Sequence, residues 1–354
     1  MASRAVLHPV RAGGCRILIV DDSVVARTVL ARIASDDGAC EVAGAVADVP
    51  AALEFLATET VDVILLDLEM PGIDGLSGLP DLLAAGRGAR VLVVSSAADA
   101  GAAATVQALA LGAADTLVKP GRSISAGSFA KALAEKIARL TDPGEPMGGG
   151  APIARLAARP FDAVAIGAST GGIHALNNVL RDLPATFRAP VMVTQHLPQA
   201  FVPHFARQLE SAVGRRCVVA TERMTLEPDM IVLAPGDAHL TVAPLRSGRT
   251  NVRLSQVPVA NGNLPSVDPM FESAAARYGA RLLAVVLSGM GRDGLEGARA
   301  VREAGGTVVV QDRASSVVWG MPGAVAAAGL ADAVLTPEAI GGVVAGQMVA
   351  VPCR

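Results

Sequence analysis

The stretch VDVILLDLEMPGIDG, residues 61–75, is an apolar run that ends in a carboxylate and a turn rich in Pro and Gly. Apolar runs of this kind alternate with Ala- and Leu-rich helical stretches along the whole chain. That alternation predicts parallel sheets covered by helices, an α/β fold. The other strand-like runs of the first half are residues 16–20, 40–46, 90–95 and 115–118. Residues 128–140 then have the apolar spacing of an amphipathic helix.

Composition narrows the class of protein. The 354 residues are 51% hydrophobic and 18% charged, with a mean hydropathy of +0.45, which favours a globular chain of two domains. Only 3% aromatic residues and a net charge of −3 disfavour a nucleic-acid partner. The four cysteines lack CxxC spacing, which disfavours zinc and disulfides and suits a reducing compartment. The first fifteen residues lack the apolar core of a signal peptide, and no apolar run reaches about 18 residues. We therefore expect a cytoplasmic protein without membrane insertion.

The second half repeats the α/β pattern after a break. Its strand-like runs are residues 161–169, 189–196, 230–242, 252–257, 282–289 and 306–312. The middle runs lack intervening helices, which predicts antiparallel pairing there. The stretch TDPGEPMGGGAP, residues 141–152, indicates a flexible linker. The sequence thus predicts two doubly wound domains, residues 15–140 and 159–347, joined by a Pro/Gly-rich linker at 141–158.

Polar side chains follow four predicted strands of the first half. They are Asp21, Asp22, Asp67, Ser95 and Lys119. The carboxyl ends of parallel strands meet at one crevice, so these groups converge. Three carboxylates repel one another and, with oxygen ligands, favour Mg²⁺. The set suits transfer of a phosphoryl group to an aspartate, whereas Asp21 and Asp22 alone could equally cap a helix.

The motifs VDDS, LLDLEMPGIDG, VVSS and VKP make residues 15–140 resemble the receiver domain of two-component response regulators. The resemblance implies a flavodoxin-like five-stranded parallel sheet. It implies Asp67 as the phospho-acceptor, with Mg²⁺ held by Asp21, Asp22, Asp67 and the backbone carbonyl of Glu69. Ser95 and Lys119 would sense the phosphoryl group. Thr116 departs from the family, in which an aromatic residue is common three positions before the lysine.

The turn in VAIGASTGG, residues 164–172, has three interpretations: a nucleophile at Ser169, a phosphate cradle, or a tight strand-to-helix corner. The cradle is disfavoured because its glycine spacing is wrong and the next strand ends in Gln195 and His196 rather than an acid. Ser169, His196 and Asp293 each lie at or just beyond a predicted strand end, where an α/β sheet gathers its active site. A serine, a base and an orienting carboxylate are the parts of a hydrolytic triad. The corner interpretation remains open for the isolated motif.

Six segments of the second half resemble the catalytic domain of the CheB family of chemotaxis protein-glutamate methylesterases. They are AIGASTGG, QHLPQAFVPHFA, LAPGDAHL, PSVDPMF, VVLSGMGRDG and QDRASSVVWGMPGAV. The resemblance implies a Rossmann-like, mostly parallel sheet with an antiparallel hairpin. It implies Ser169 as nucleophile, His196 as general acid and base, and Asp293 as its carboxylate, with Thr170 and Met290 near the serine and the oxyanion. Asn263 stands where a histidine is common in the family.

Together the two resemblances imply a phosphorylation-regulated hydrolase. Its substrates would be γ-glutamyl methyl esters, and also glutamines, of methyl-accepting chemoreceptors, and its phosphodonor a chemotaxis histidine kinase. The unphosphorylated receiver would cover the catalytic cleft, the protein would be a monomer, and ester hydrolysis would need no cofactor. The rival interpretation is a non-catalytic response regulator that binds a receptor or kinase and only sequesters phosphoryl groups; it keeps the receiver and makes the second half an adaptor.

Overall fold

The chain divides into two compact units between residues 144 and 145. The computed structural model describes residues 14–36, 40–95, 99–119, 126–141 and 160–346. Apart from residue 141, the predicted linker lies outside these ranges.

The first unit is a five-stranded sheet with five helices. Its elements are β1 (Cys15–Val20), α1 (Val24–Ser35), β2 (Cys40–Val46), α2 (Val49–Thr58), β3 (Val63–Leu66), α3 (Gly75–Ala85), β4 (Arg90–Ser95), α4 (Asp99–Leu111), β5 (Asp115–Val118) and α5 (Ala126–Thr141). The strand order is β2-β1-β3-β4-β5, and every pair is parallel. This confirms the predicted sheet; only β3 is shorter than its apolar run.

Side-chain caps start three helices of this unit. Ser23 accepts a hydrogen bond from the backbone N–H of Ala26, and Asp48 and Asp74 cap α2 and α3 in the same way. Such caps satisfy N–H groups that have no partner inside the helix. The polar strand ends at Asp21 and Asp67 therefore stay at one edge of a sheet whose strand β3 is buried along its whole length.

The second unit is a seven-stranded sheet with a separate hairpin. Its elements are β6 (Ala163–Ala168), α6 (Gly172–Leu180), β7 (Val191–Gln195), a 3₁₀ turn (Gln199–Phe201), α7 (Val202–Val213), β8 (Cys217–Val219), β9 (Ile231–Leu233), β10 (His239–Pro244), β11 (Thr250–Ser255), α8 (Val267–Tyr278), a second 3₁₀ turn (Gly279–Arg281), β12 (Leu282–Val286), α9 (Leu295–Glu303), β13 (Thr307–Gln311), α10 (Met321–Ala327), β14 (Ala333–Leu335) and α11 (Pro337–Val344). The order is β14-β13-β12-β6-β7-β9-β8, with parallel pairs throughout.

Two details differ from the sequence prediction. The run 230–242 is not one strand: the turn at Pro235-Gly236 splits it into β9, which is parallel to β7, and β10, which pairs antiparallel with β11. The antiparallel prediction was therefore right for β10 and β11 and wrong for β9. The three-residue strands β8 and β14 were missed, because so few residues carry no periodic pattern.

Helix α8 packs between the seven-stranded sheet and the β10–β11 hairpin and forms the core between them. Met270, Phe271 and Ala274 of α8 are fully buried in one cluster with residues of β6, β12 and β10. In the part of the chain that the structure describes, no helix has the length and apolarity needed to cross a bilayer.

Candidate functional site

The predicted acidic pocket of the first unit is assembled in the structure. Asp21 and Asp22 follow β1 and Asp67 follows β3, and because these strands are neighbours, one oxygen of each carboxylate lies within 4.8 Å of the others. Asp21 and Asp67 are buried, whereas Asp22 is exposed. A compact set of three carboxylates, open on one side, has the donor chemistry that Mg²⁺ prefers.

Lys119 reaches into this pocket from the end of β5. Its Nζ lies 2.5 Å from Asp67 Oδ2 and 3.0 Å from Asp21 Oδ2. Burial raises the pKa of Asp67 above its usual value, although the hydrogen bond and charge of Lys119 and the N–H of Glu69 act in the opposite direction. Lys119 thus balances the buried negative charge of the pocket.

The Ser95 hydroxyl is bonded to helix α4. It lies 2.7 Å from Thr105 Oγ1, whose own proton goes to the carbonyl of Gly101, so Ser95 is the donor. Both hydroxyls are fully buried. Thr116 is also buried, and among the described residues its Oγ1 has no hydrogen-bond partner.

In the second unit the three predicted residues follow three adjacent central strands. Ser169 follows β6, His196 follows β7, and Asp293 lies in the loop between β12 and α9. Backbone hydrogen bonds of 3.0 Å join these ends, from Ser169 N to Ser288 O and from His196 N to Ala168 O. The sheet therefore brings together groups that are far apart in sequence.

His196 and Asp293 form a direct pair. His196 Nε2 lies 2.7 Å from Asp293 Oδ2, and the carboxylate is fully buried while the ring is partly exposed. This contact leaves Nδ1 as the ring nitrogen available to a second partner.

Asp293 accepts hydrogen bonds on both carboxylate oxygens. Its donors are the His196 ring, Asn261 Nδ2, Ser266 Oγ and the backbone N–H groups of Val267, Asp268 and Gly294. Burial by itself would raise the pKa of Asp293, but the bond and charge of His196 and these further donors lower it to about 2. Asp293 is thus a fixed negative charge against the imidazole.

One amide connects the serine turn to the histidine. Gln195 Nε2 donates to Ser169 O at 2.9 Å and to His196 O at 3.2 Å, and its Oε1 is buried without a partner among the described residues. Within that same part of the chain, no hydrogen bond joins the Ser169 hydroxyl to the His196 ring. The structure brings together His196 and Asp293, and it fixes the Ser169 backbone beside them.

The serine turn is crowded on the side of Met290. A Cβ added to Gly289 would lie 2.8 Å from Ser169 Cβ and 3.1 Å from Ser169 N, so this position has no room for a side chain. Gly171 caps α6 in the left-handed region, at φ +75°. Thr170 O accepts the Ser288 hydroxyl at 2.7 Å. The N–H groups of Ser169 and Gly172 are already used, by Ser288 O and Ser169 O.

Four residues of the site escaped the sequence analysis as site residues: Gln195, Asn261, Ser266 and Asp268. Only the position of Gln195 beside His196, and of Ser266 and Asp268 in PSVDPMF, could have drawn attention to them. Asn261 lies before that motif, and the contacts of all four depend on the folded loops. Asn263, the departure from the family, contributes its backbone N–H to Asn261 Oδ1 at 2.9 Å.

The other described histidines contact groups other than Ser169. His174 is exposed on α6, and His204 contacts Arg207 on α7. His239 is buried and accepts from Ser266 N on Nδ1, so its Nε2 carries the proton and donates to Val257 O.

Comparisons with known proteins agree with this arrangement. The CheB methylesterase family model matches residues 164–344, and the response regulator receiver domain model matches residues 17–125. The chain is 42% identical over 344 residues to protein-glutamate methylesterase/protein-glutamine glutaminase 2 of Caulobacter vibrioides, covering 94% of this chain and 98% of that protein. It is 37% identical to the protein-glutamate methylesterase/protein-glutamine glutaminase of Maricaulis maris, covering 91% of this chain and 92% of that protein.

A solved structure supports the assignment of the second unit. The Thermotoga maritima CheB methylesterase catalytic domain matches with a TM-score of 0.51 and 35% identity, covering 53% of this chain and 98% of that one. With a sheet of the matching kind, a His–Asp pair at its centre and a receiver domain before it, the chain belongs to the CheB methylesterase family.

Proposed function

We propose that this chain hydrolyses γ-glutamyl methyl esters, and deamidates glutamines, on methyl-accepting chemoreceptors, under control of a phosphorylated receiver. The observation that carries the proposal is the buried His196–Asp293 pair, at 2.7 Å, beside the immobilised Ser169 turn. The names of the relatives, which give both activities, support it. The substrate glutamates lie on cytoplasmic receptor helices in this proposal, and the enzyme acts as a cytoplasmic monomer.

In the acylation step, Ser169 Oγ attacks the ester carbonyl carbon and gives its proton to Nδ1 of His196. Asp293 stabilises the imidazolium through Nε2, which its lowered pKa equips it to do, because it stays ionised. The C–O bond to methanol then breaks as His196 returns the proton to the leaving oxygen. For a glutamine, the leaving group is ammonia.

In deacylation, water loses a proton to His196 and attacks the acyl-enzyme, which releases the glutamate and restores the Ser169 hydroxyl. The oxyanion formed in both steps needs hydrogen-bond donors placed in advance. We assign these donors to the backbone near Thr170 and Met290, which flank Ser169. All the groups needed come from the chain, so ester hydrolysis uses no cofactor.

The receiver supplies regulation. Asp67 would accept a phosphoryl group from a chemotaxis histidine kinase, and the carboxylates of Asp21, Asp22 and Asp67 with the Glu69 carbonyl would hold Mg²⁺. When bound, the ion neutralises charge that develops on the transferred group. Lys119 is placed to pair with the phosphorylated carboxylate, and Ser95 would have to leave Thr105 to reach it.

Removal of the Ser169 hydroxyl tests the catalytic assignment. Methanol release from methylated receptor membranes should fall by roughly 10⁴-fold or more in Ser169→Ala, because the acyl-enzyme cannot form. Ser211→Ala, an exposed serine on α7, is the matched control and should retain full activity. Near-normal hydrolysis by the Ser169 variant would overturn the triad, whereas absence of hydrolysis by the wild-type protein would favour a non-catalytic regulator.

A further inference from the structure

One amide group joins two carboxyl groups at the edge of the hydrolytic site. Asn261 Nδ2 lies 2.9 Å from Asp293 Oδ1 and 3.1 Å from Asp268 Oδ2. The orientation of the amide is fixed, because Asn261 Oδ1 accepts the N–H of Asn263 at 2.9 Å. Asn261 therefore donates to both acids at once.

Asp268 occupies the junction of two helix N-termini. It lies in the first turn of α8, and its Oδ1 accepts the N–H of Gly297 in the first turn of α9 at 2.8 Å. Its own N–H points at Asp293 Oδ1, 3.3 Å away. Burial, and then the charge of Asp293, raise the pKa of Asp268 to about 6, despite the opposing bond from Gly297. A second acid thus stands directly behind the one that faces His196.

Few other ionisable groups face this pair. His196 bonds Asp293 directly, and His239 at the start of β10 reaches it through Ser266. Strands β6 and β12 contribute no charged residue. The nearby charged side chains of the loop and the two helices are exposed: Glu272, Arg292, Glu296 and Arg299.

We propose that Asn261 and Asp268 are positioning residues of the hydrolytic site. Asn261 links Asp268 and Asp293 by hydrogen bonds, and the linked pair sets the strength of the His196–Asp293 hydrogen bond and the stability of the protonated imidazole. This inference rests on the proposed function for its kinetic consequences, but its titration test does not. Both residues act through Asp293, so we expect their loss to change kcat rather than KM.

Ionisation of Asp268 adds a negative charge behind Asp293. That charge favours the imidazolium formed when Ser169 is deprotonated, and so accelerates acylation. Asp268→Asn removes the charge and also one acceptor, because Gly297 and Asn261 donate to different carboxylate oxygens and one of these becomes an NH2 group. We expect kcat at pH 8 to fall by about 3- to 30-fold, with KM unchanged, and the acid limb of the rate profile to move to lower pH.

The matched control, Glu272→Gln, takes one exposed negative charge from the same helix and should behave as wild type. Asn261→Ala should lower kcat as Asp268→Asn does, and since Asn261 is exposed, its loss leaves the fold intact.

Carboxyl ¹³C NMR titration of the full-length protein separates this inference from the proposed function, since it needs no turnover. In wild type the Asp268 and Asp293 resonances should both respond in the pH range where Asp268 titrates, and in Asn261→Ala the Asp268 midpoint should rise, because a donor to its charged form is lost. An unchanged Asp268 titration in Asn261→Ala would overturn the inference. So would an unchanged pH profile of Ser169-dependent hydrolysis in Asp268→Asn.

Discussion

At the scale of single residues, Ser169 can occupy its position because Gly289 has a hydrogen atom where other residues have a side chain. Ser169 is held by its N–H on Ser288 O and by its carbonyl on Gln195, so its backbone has little freedom to move. The other neighbour of a Cβ at Gly289 would be Met321 Sδ, in a side chain that is fully buried. A side chain at this position must displace either the nucleophile or a packed methionine.

Gly289→Ala should therefore lower kcat by about 10²-fold, the cost of a small misplacement of a reacting group. Steady-state methanol release measures the effect. Gly127→Ala is the control, because a Cβ there meets nothing within 4 Å and α5 only gains helix propensity. Full activity of the Gly289 variant would show that the crowding does not determine where Ser169 sits.

At the scale of elements, the N-termini of α8 and α9 meet at two acids whose titrations have opposite effects on stability. The pKa of Asp293 is lowered to about 2, so its stabilising contribution is present above pH 4 and is lost as the pH falls toward 2. The pKa of Asp268 is raised to about 6 mainly by burial, so the folded state is favoured below pH 4 and loses that advantage as the pH rises through 6. From these two groups alone, stability is greatest near about pH 4 and falls as the pH rises from there through 6.

The Asp268→Asn variant should not show the loss of stability that Asp268 causes as the pH rises through 6. Between pH 5 and pH 8, the unfolding free energy of wild type should fall by on the order of 1 kcal/mol more than that of the variant, after allowance for solvent screening. Trp319, the single tryptophan, lies in the second unit, so its fluorescence follows denaturation of this unit alone. Parallel pH dependence of the two proteins would contradict the assignment.

The elements also show what the sequence could predict. Apolar runs such as 90–95 became strands with the predicted bounds, because buried parallel strands need continuous apolar residues. Ser169, His196 and Asp293 became candidates because they follow such runs. Asn261 and Asp268 could not be found in this way, since their partners are 32 and 29 residues distant, in Asp293 and Gly297, across loops without a periodic pattern.

At the scale of the whole molecule, two units of different chemistry share one chain: the first holds an acidic pocket, the proposed phospho-acceptor site, and the second holds a His–Asp pair, the proposed hydrolytic site. The Ser95–Thr105 bond ties the pocket of the first unit to α4. Since Ser95 has one proton to donate, it can serve either Thr105 or a phosphoryl oxygen on Asp67. Phosphorylation would thus change the contact between Ser95 and α4, without the aromatic residue that Thr116 replaces.

Asp67→Asn should abolish the response of the esterase to a small phosphodonor. Acetyl phosphate with Mg²⁺ is expected to raise methanol release by wild type and by the control Asp81→Asn, an exposed acid on α3, but not by Asp67→Asn. Activation of the Asp67 variant by acetyl phosphate would show that the phosphodonor acts at a residue other than Asp67.

The strand order of the second unit has a consequence for how the protein is made. Strand β12 lies beside β6 in the middle of the sheet, yet it is synthesised more than a hundred residues later, and Asp293 follows it. Domains fold as units, the N-terminal one first during synthesis. A growing chain therefore completes its receiver well before Ser169, His196 and Asp293 can meet. If the proposed function holds, no stage of translation yields a hydrolase that lacks its regulator.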